Sequence, residues 1–521
     1  MLRPNEQNEI RKKLRYSWVS FFGRFGSLTP AQIETIPKIL EGRNVIVASP
    51  TATGKTEAVM APVAEQLFLS KDNSLGILYL VPTRALANDA LIRLQGPLLD
   101  LGMKTAIKHG DKPSLPAGPL QCLITTPESL DSLLCRKHSI FRKLKAVVLD
   151  EIHLIDGTYR GDQTIVLVRR LRKIKPDGFA VHLLSATFSD PSEIARRYVE
   201  HFDVVTVPGQ RPIENHFANS TEIALELARK NKWMKVLCFC NKRASVETLT
   251  KQLQGIWGNY PVVCHHGSLS KALRNEAETV MKESRVAICV ATSTLEIGID
   301  IGDIDLIILN EVPWSVSSLL QRVGRGNRRT GTTRVASVVG SLAEKQVVET
   351  MLKIAQSGAL PKSPYSPDKS VAAQQMLSIT CEKPDGILTE EFEGLLAPLC
   401  TTEETKTILW QLNKLGWIEL QRAKYFPTTK LMDLCEKGAL HSNIPDSTSY
   451  QIADEYGKPI GTISGQFDEV FAMGGNAWKV VAVQGSKVIV RPNAGPGSTS
   501  HFVSYQTSGA FNYLLPPALR K

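Results

Sequence analysis

The sequence predicts an α/β chain in which two parallel-sheet lobes are followed by a helix-rich domain and a small all-β domain. Three observations carry that expectation. Short apolar runs bounded by turn residues alternate with longer amphipathic stretches through the first two-thirds of the 521 residues. The alternation is broken once, by two prolines and a glycine in Val207 to Pro212. After about Leu342 it gives way to helical periodicity and then to short strands with Gly/Pro turns.

Taken in order, the runs are Asn44 to Ala48, Gly76 to Val81, Gln121 to Thr125, Lys145 to Asp150 and Val181 to Ser185. Beyond the break come Lys235 to Cys240, Val286 to Thr292 and Leu306 to Asn310. Continuous apolar runs of this length suit parallel strands covered on both faces, joined by right-handed crossovers. In such sheets, ligands bind at the carboxyl ends of the strands. The first lobe is therefore expected over 1–208 and the second over 209–345, with a hinge at Val207 to Pro212. Gln346 to Gln356 reads as helix and Pro361 to Pro367 as linker. Val371 to Gly438 reads as helices with a short alternating end, Gly416 to Phe426, which suits a winged helix over 346–438 and, almost as well, an ordinary helical subdomain. Residues 439–521 read as a small β-domain.

Lys and Arg total 62 against 51 Asp and Glu, a net charge of +11 with an isoelectric point near 9.1. That balance favours a polyanionic partner. With 43% apolar residues the chain can bury real cores, so disordered, collagen-like and mini-protein classes fall away. Part of the charge lies in the first thirty residues, where Arg3, Arg11, Lys12, Lys13, Arg15 and Arg24 face only Glu6 and Glu9. The nine cysteines are odd in number and form no C-x-x-C pair, so they lack the spacing of a disulfide framework, a zinc site or an iron–sulfur site. No apolar run approaches the roughly 18 residues of a membrane span, and no leader pattern precedes Gly26, which makes a soluble cytoplasmic protein the expectation.

Ala48 to Thr56 (ASPTATGKT) follows an apolar strand and precedes a helical run. A loop so placed aims backbone N–H groups and a helix N-terminus at phosphate oxygens. Thr53 and Gly54 close the loop, Lys55 reaches the terminal phosphates, and Thr56 offers its hydroxyl to Mg²⁺. Ser49 and Ala52 depart from the strict glycine-rich form, and Ala52 must avoid positive φ. Further on, Asp150-Glu151-Ile152-His153 ends a buried apolar run. Two carboxylates at the carboxyl end of a strand suit division of labour: Asp150 holds Mg²⁺, and Glu151 orients and deprotonates an attacking water.

With these motifs the sequence resembles the superfamily 2 helicases, over strings spread from Gln32 to Arg328. Leu28 to Gln32 (LTPAQ) resembles the adenine-reading Q motif, which assigns Gln32 to the base; Thr29 and Pro30 equally suit a helix cap. Pro82-Thr83-Arg84 and Thr126-Pro127-Glu128 match the strand-tracking motifs, which assigns Thr83, Arg84 and Thr126 to nucleic acid. Ser185-Ala186-Thr187 matches the motif that couples hydrolysis to lobe movement through Ser185 and Thr187. Ala291 to Asp300 (ATSTLEIGID) implies that Thr292 touches a nucleic-acid phosphate and that Gly298 and Asp300 lie near the nucleotide. Gln321 to Arg328 (QRVGRGNR) implies that Arg325 and Arg328 are arginine fingers for the γ-phosphoryl group, although Asn327 stands where glycine is usual. Arg322, Arg325, Arg328, Arg329 and Arg334 crowd one short segment without an acid, which suits a triphosphate or phosphodiester.

Several strings resemble the large helicase-related (Lhr) family: Cys264 to Ser270 (CHHGSLS), Ala291 to Asp305, Leu319 to Arg325, and Ile460 to Val480 (IGTISGQFDEVFAMGGNAWKV). The resemblance implies two RecA-like lobes, a winged helix and a β-domain. It also implies an ATP- and Mg²⁺-dependent helicase that moves 3′-to-5′ on single-stranded DNA, unwinds DNA or RNA–DNA duplexes, and serves DNA repair. The chain ends after this core, so the extra C-terminal module of longer relatives is not expected. A DExH RNA helicase, or a nucleic-acid clamp gated by ATP without processive unwinding, are the alternatives. Trp410, Trp417, Trp478 and His265 or His266 are candidates to stack on bases, weighed against ordinary core packing.

Overall fold

The protein is described by a computed structural model covering residues 4–49, 53–186, 190–207, 212–257, 260–296, 301–326, 332–357, 365–445, 449–464, 468–493 and 508–520. It divides into two compact units. The first comprises Met1–Pro208, Lys362–Asp446 and Gln506–Lys521, and the second Gly209–Pro361 and Ser447–Tyr505. The expected hinge falls largely on residues 208–211, outside the described ones.

The first unit is built on a parallel sheet of β1 (Val45–Ala48), β2 (Ile77–Leu80), β3 (Thr105–Lys108), β4 (Cys122–Thr125), β5 (Ala146–Leu149), β6 (Ala180–Ser185) and β7 (Asp203–Thr206). Their spatial order is β3-β4-β2-β5-β6-β1-β7, and every pairing is parallel. β1, β2, β4 and β5 are buried throughout, as their unbroken apolar runs require. The edge strands β3 and β7 are partly exposed and more polar, so no apolar run announces them. Because all strands point one way, β1, β5 and β6 deliver their carboxyl ends to a single edge.

The helical segment of this unit contains helices Lys369–Glu382, Thr389–Leu396 and Thr402–Lys414 and a small antiparallel sheet. Its strands are β14 (Ile387–Leu388), β15 (Ile418–Gln421) and β16 (Lys424–Pro427), counted after the second unit's six. Val371, Met376, Leu377, Phe392 and Leu409 form a core that takes in Val166 from the first lobe's helix Tyr159–Ile174. A buried polar network joins the same two parts. Asp131 accepts from Arg170 at 2.5 Å, Ser378 at 2.8 Å, Gln374 at 3.0 Å and Gln375 at 3.2 Å, and lies 2.9 Å from His441 Nδ1.

In the second unit β8 (Ile213–Ala218), β9 (Lys235–Phe239), β10 (Val262–His265), β11 (Ala287–Ala291), β12 (Leu306–Leu309) and β13 (Thr333–Val338) form a parallel sheet in the order β10-β11-β9-β12-β13-β8. A mixed sheet packs onto it. Its strands are β17 (Ser449–Asp454), β18 (Pro459–Ser464), β19 (Val470–Met473), β20 (Asn476–Gln484) and β21 (Lys487–Pro492), with β17 and β21 parallel and the other pairings antiparallel. Ile463, Phe471, Met473 and Val488 share one core with Leu249, Leu253 and Cys264 of the lobe. Each such side chain contributes about 1.5–3 kcal/mol by burial. The backbones also join: Ser270 N donates to Ile460 O and Thr462 N to Ser268 O, both at 2.7 Å. This approach requires glycine at 461, where a Cβ would lie 2.3 Å from Ser268 O. Buried Glu247 fastens the Gly474-Gly475 turn by accepting both N–H groups, at 2.6 and 2.7 Å.

Two segments pack away from the part of the chain their position suggests. Helix Leu342–Ser357 sets Val348, Met351, Leu352 and Ala355 into the second lobe's core, so it ends that lobe instead of opening the helical domain at 346. Phe511, Leu514 and Leu515, expected in the β-domain, fill the helical core of the first unit. In both cases an apolar face follows the neighbour that can cover it, which local texture does not reveal. All nine cysteines are free thiols, and no helix among the described residues is long and apolar enough to cross a membrane.

Candidate active site and nucleic-acid interface

The carboxyl ends of β1, β5 and β6 gather most of the expected nucleotide residues. Gly54 takes a left-handed conformation (φ 75°) and starts the helix Lys55–Ser70. Lys55 is buried, and its Nζ donates to Ser49 O at 2.7 Å and Ser185 O at 3.0 Å. The ammonium thereby stands between the ends of β1 and β6. Ser49 Oγ and Thr53 Oγ1 lie 2.7 Å apart. Gln32 completes a capping box with Thr29 on helix Pro30–Leu40, and its Nε2 donates to Gly54 O at 3.3 Å, while Thr29 Oγ1 donates to Thr53 O at 2.7 Å. The cap and the loop are therefore one assembly.

Asp150, buried at the end of β5, accepts from Tyr79 OH at 2.5 Å and from the N–H of Glu151 at 2.9 Å. Burial and the neighbouring Glu151 charge raise its proton affinity, against the opposing effect of Arg93 and Lys55. Glu151 holds φ 48°, a left-handed backbone that costs a non-glycine residue of the order of 1–2 kcal/mol. Strain of this kind concentrates where a side chain must be aimed. His153 Nδ1 lies 2.9 Å from Ser185 Oγ and 3.5 Å from Glu151 Oε2. Burial and the Lys55 charge push its pKa down to about 3, so the ring is neutral near pH 7 and links the carboxylate pair to β6 without a charge. An ammonium, a hydroxyl at a helix N-terminus and two carboxylates on one sheet edge fit a magnesium nucleoside triphosphate.

A cavity of about 660 Å³ in the first unit collects Thr83, Arg84 and Thr126. Thr83 caps helix Arg84–Asp100, its Oγ1 accepting from Leu86 N at 3.2 Å, and Thr126 is buried ahead of helix Pro127–Lys137. Arg84 is exposed and paired to Asp111 at 2.6 Å. Arg160 ties the two motifs together by donating to Glu128 Oε1 at 2.7 Å and to Pro82 O at 2.5 Å. Lys108, Arg136, Lys437 and His441 also line the cavity. Burial and the charges of Arg136 and Lys137 lower the pKa of Lys108, which marks a site crowded with cations.

In the second unit Thr292 follows β11, and its N–H donates to His265 O at 3.2 Å. Arg325 is buried, and its Nη2 donates to Glu296 O at 2.7 Å. Arg322 donates to Glu296 Oε1 at 2.7 Å and to Asn241 Oδ1 at 2.9 Å. Arg334 lies 4.0 Å from Glu214 and over the Trp233 ring. These two members of the arginine cluster are held inside the lobe's own fabric.

Residues 29–194 match the DEAD/DEAH box helicase family and residues 219–330 the helicase conserved C-terminal domain. ATP-dependent helicase Lhr-Core of Methanocaldococcus jannaschii is 29% identical over 93% of this chain and 64% of its own length. ATP-dependent helicase Lhr-Core protein 2 of Thermococcus barophilus is 27% identical over 92% of this chain and 64% of its own. The chain belongs to the superfamily 2 helicases, with a core of the Lhr type. It spans just under two-thirds of the length of these two curated relatives. Its fold is similar to that of Mycobacterium smegmatis helicase Lhr bound to ssDNA and AMP-PNP (TM-score 0.71, 24% identity, 83% of this chain, 62% of that one). It is likewise similar to DUF1998 helicase MrfA bound to DNA (TM-score 0.76, 21% identity, 95% and 70%).

Within this helicase core, Gln32, Thr53, Gly54, Lys55, Thr56, Asp150, Glu151 and Ser185 come together at the first sheet's edge, and Thr83, Arg84 and Thr126 line the neighbouring cavity. Thr292 and Arg325 belong to the second unit. Ala52, Thr187, Gly298, Asp300, Asn327 and Arg328 lie outside the described residues. His265 and His266 are buried, at 2.8 Å from Thr294 Oγ1 and 2.7 Å from Glu247 Oε1 respectively, which makes them core residues. Trp478 donates Nε1 to Met473 O at 2.7 Å and packs on the shared core, whereas Trp410 is 58% exposed. Sequence reasoning missed Tyr79, Arg93 and Arg160. A tyrosine inside an apolar strand that neighbours the carboxylate strand was the one available signal.

Proposed function

We propose that the chain is a magnesium- and ATP-dependent helicase motor that moves 3′-to-5′ on single-stranded DNA and unwinds DNA or RNA–DNA duplexes. The observation that carries this reading is the convergence of Lys55, Thr56, Asp150 and Glu151 on one sheet edge. The relatives named ATP-dependent helicase support it. Lys55 binds the terminal phosphates, Thr56 and Asp150 hold Mg²⁺, and Glu151 orients the attacking water and takes its proton. The metal supplies charge neutralisation on the phosphates and leaving oxygen. Gln32 fixes the loop through Gly54 and reads the base beside it. Ser185, bonded to His153 and accepting from Lys55, reports the state of the phosphates to β6. By the family resemblance Arg325 is assigned to charge on the transferred phosphoryl group and Thr292 to a strand phosphate.

The strand lies along the cation-lined cavity of Thr83, Arg84 and Thr126, where contacts to phosphate make binding tolerant of sequence and sensitive to salt. The test is strand-stimulated ATP hydrolysis with Lys55→Ala and Glu151→Gln, on matched DNA, RNA and hybrid strands. Loss of stimulated turnover in both variants is expected. Retained turnover in either overturns the site, and stimulation by RNA alone overturns the DNA substrate.

A further inference from the structure

Both groups assigned to the metal are already held by other side chains. Arg93, on helix Arg84–Asp100, donates Nη1 to Thr56 Oγ1 at 3.1 Å and lies with Nε 3.0 Å from Asp89 Oδ2. Tyr79, fully buried on β2, donates its hydroxyl to Asp150 Oδ2. A buried carboxylate beside a second carboxylate needs a neighbouring positive charge, and Mg²⁺ supplies it only when nucleotide is bound. The Arg93 side chain is 38% exposed, and with Asp150, Asp89 and Glu57 around it the guanidinium stays charged.

We infer that Arg93 is the resident counter-cation of the magnesium position: it holds Thr56 and the charge of Asp150 in place before the metal nucleotide binds, and it yields that place to the divalent cation. The inference rests on the proposed magnesium nucleotide site. It follows from two facts of charge. The guanidinium's charge acts on Asp150 from nearby, and the same positive charge opposes a divalent cation brought to Thr56 Oγ1. Arg93 is therefore a positioning residue that sets how much Mg²⁺ the site demands. A merely structural arginine would affect stability without touching that demand.

The experiment is binding of a fluorescent, non-hydrolysable ATP analogue to the full chain, titrated with Mg²⁺, for wild type, Arg93→Met, Arg93→Gln and Arg93→Lys. Removing the charge is expected to lower the half-saturating Mg²⁺ by about three- to tenfold, the size of a partly screened charge–charge interaction. Arg93→Lys keeps the wild-type midpoint. The neutral variants also melt at a lower temperature without ligand and gain more from the magnesium nucleotide than wild type does. Arg93→Gln, which keeps polar length, serves if Arg93→Met does not fold. An unchanged or raised Mg²⁺ requirement in the neutral variants overturns the inference while leaving the nucleotide site intact. Wild type that binds no nucleotide at any Mg²⁺ concentration overturns the site itself.

Discussion

Asp131→Asn tests what binds the helical segment to the first lobe. Asp131 is fully buried and faces Arg170, which is 2% exposed, and His441, which is 4% exposed. The amide keeps the shape and loses the charge, which takes from His441 and Arg170 the anion they share and leaves Arg170 only Glu382, at 2.7 Å. Breaking such a pair by removing one partner costs ~3–5 kcal/mol. The His441 imidazole gives a second measure: burial would push it down, but the hydrogen bond and charge of Asp131, with the Cys435 thiol beside it, carry its pKa from 6.5 up to about 9. That displacement, which Asp131 and Cys435 share, corresponds to about 3 kcal/mol. Burial would raise Asp131, but Arg170, His441 and Ser378 together hold it down at about 2. The stabilisation from His441 is fully present below pH 6.5 and is lost as pH rises through about 9; that from Asp131 is present above its usual 3.8 and is lost as pH falls through about 2. Thermal melting followed by circular dichroism should show the first unit's transition lowered by about 5–8 °C near pH 6. The gap to wild type should narrow toward pH 10 without closing, because Arg170 keeps its charge. A shift under about 2 °C, or a gap independent of pH from 6 to 10, would refute the reasoning.

Gly54→Ala places a Cβ 2.2 Å from Gln32 Nε2 on a backbone with φ 75°, so nucleotide affinity measured by calorimetry should fall at least about tenfold, with a strain of ~1–2 kcal/mol in the fold. Glu247→Gln replaces an acceptor with a donor against Gly474 and Gly475, and urea unfolding of the second unit should show a loss of about 1–3 kcal/mol. Trp410→Ala removes an exposed ring that carries Lys414 5.0 Å from its centroid; single-strand affinity should drop by ~1–3 kcal/mol with no change in melting temperature if the ring stacks on a base.

The central strands were legible because burial on both faces leaves an unbroken apolar run, and β1, β2, β4, β5, β6, β9, β11 and β12 all stand where such runs occur. The edge strands β3, β7, β8 and β10 were not, since one open side admits residues such as Lys108 and Asp203, and neither was the inner strand β13, whose apolar run Arg334 and Ser337 break. The phosphate loop and Asp150-Glu151 were legible because local order fixes them: strand, loop, helix. Arg322 and Arg334 misled, because a guanidinium serves a buried Glu296 or a Trp233 face as well as it serves phosphate, and only the fold chooses. Asp131 with Arg170 and His441, and Glu247 with Gly474 and Gly475, could not be read at all. Their partners lie 39, 310, 227 and 228 residues away in sequence, and nothing local encodes the pairing.

Strand displacement from duplexes carrying either a 3′ or a 5′ single-stranded tail, with and without Mg²⁺ and ATP, tests the proposed motor most directly. Translocation 3′-to-5′ on DNA predicts displacement only from the 3′-tailed duplex, only with both ligands, and none by Lys55→Ala. Displacement from the 5′-tailed duplex, or strand-stimulated hydrolysis with no displacement from either, would contradict it.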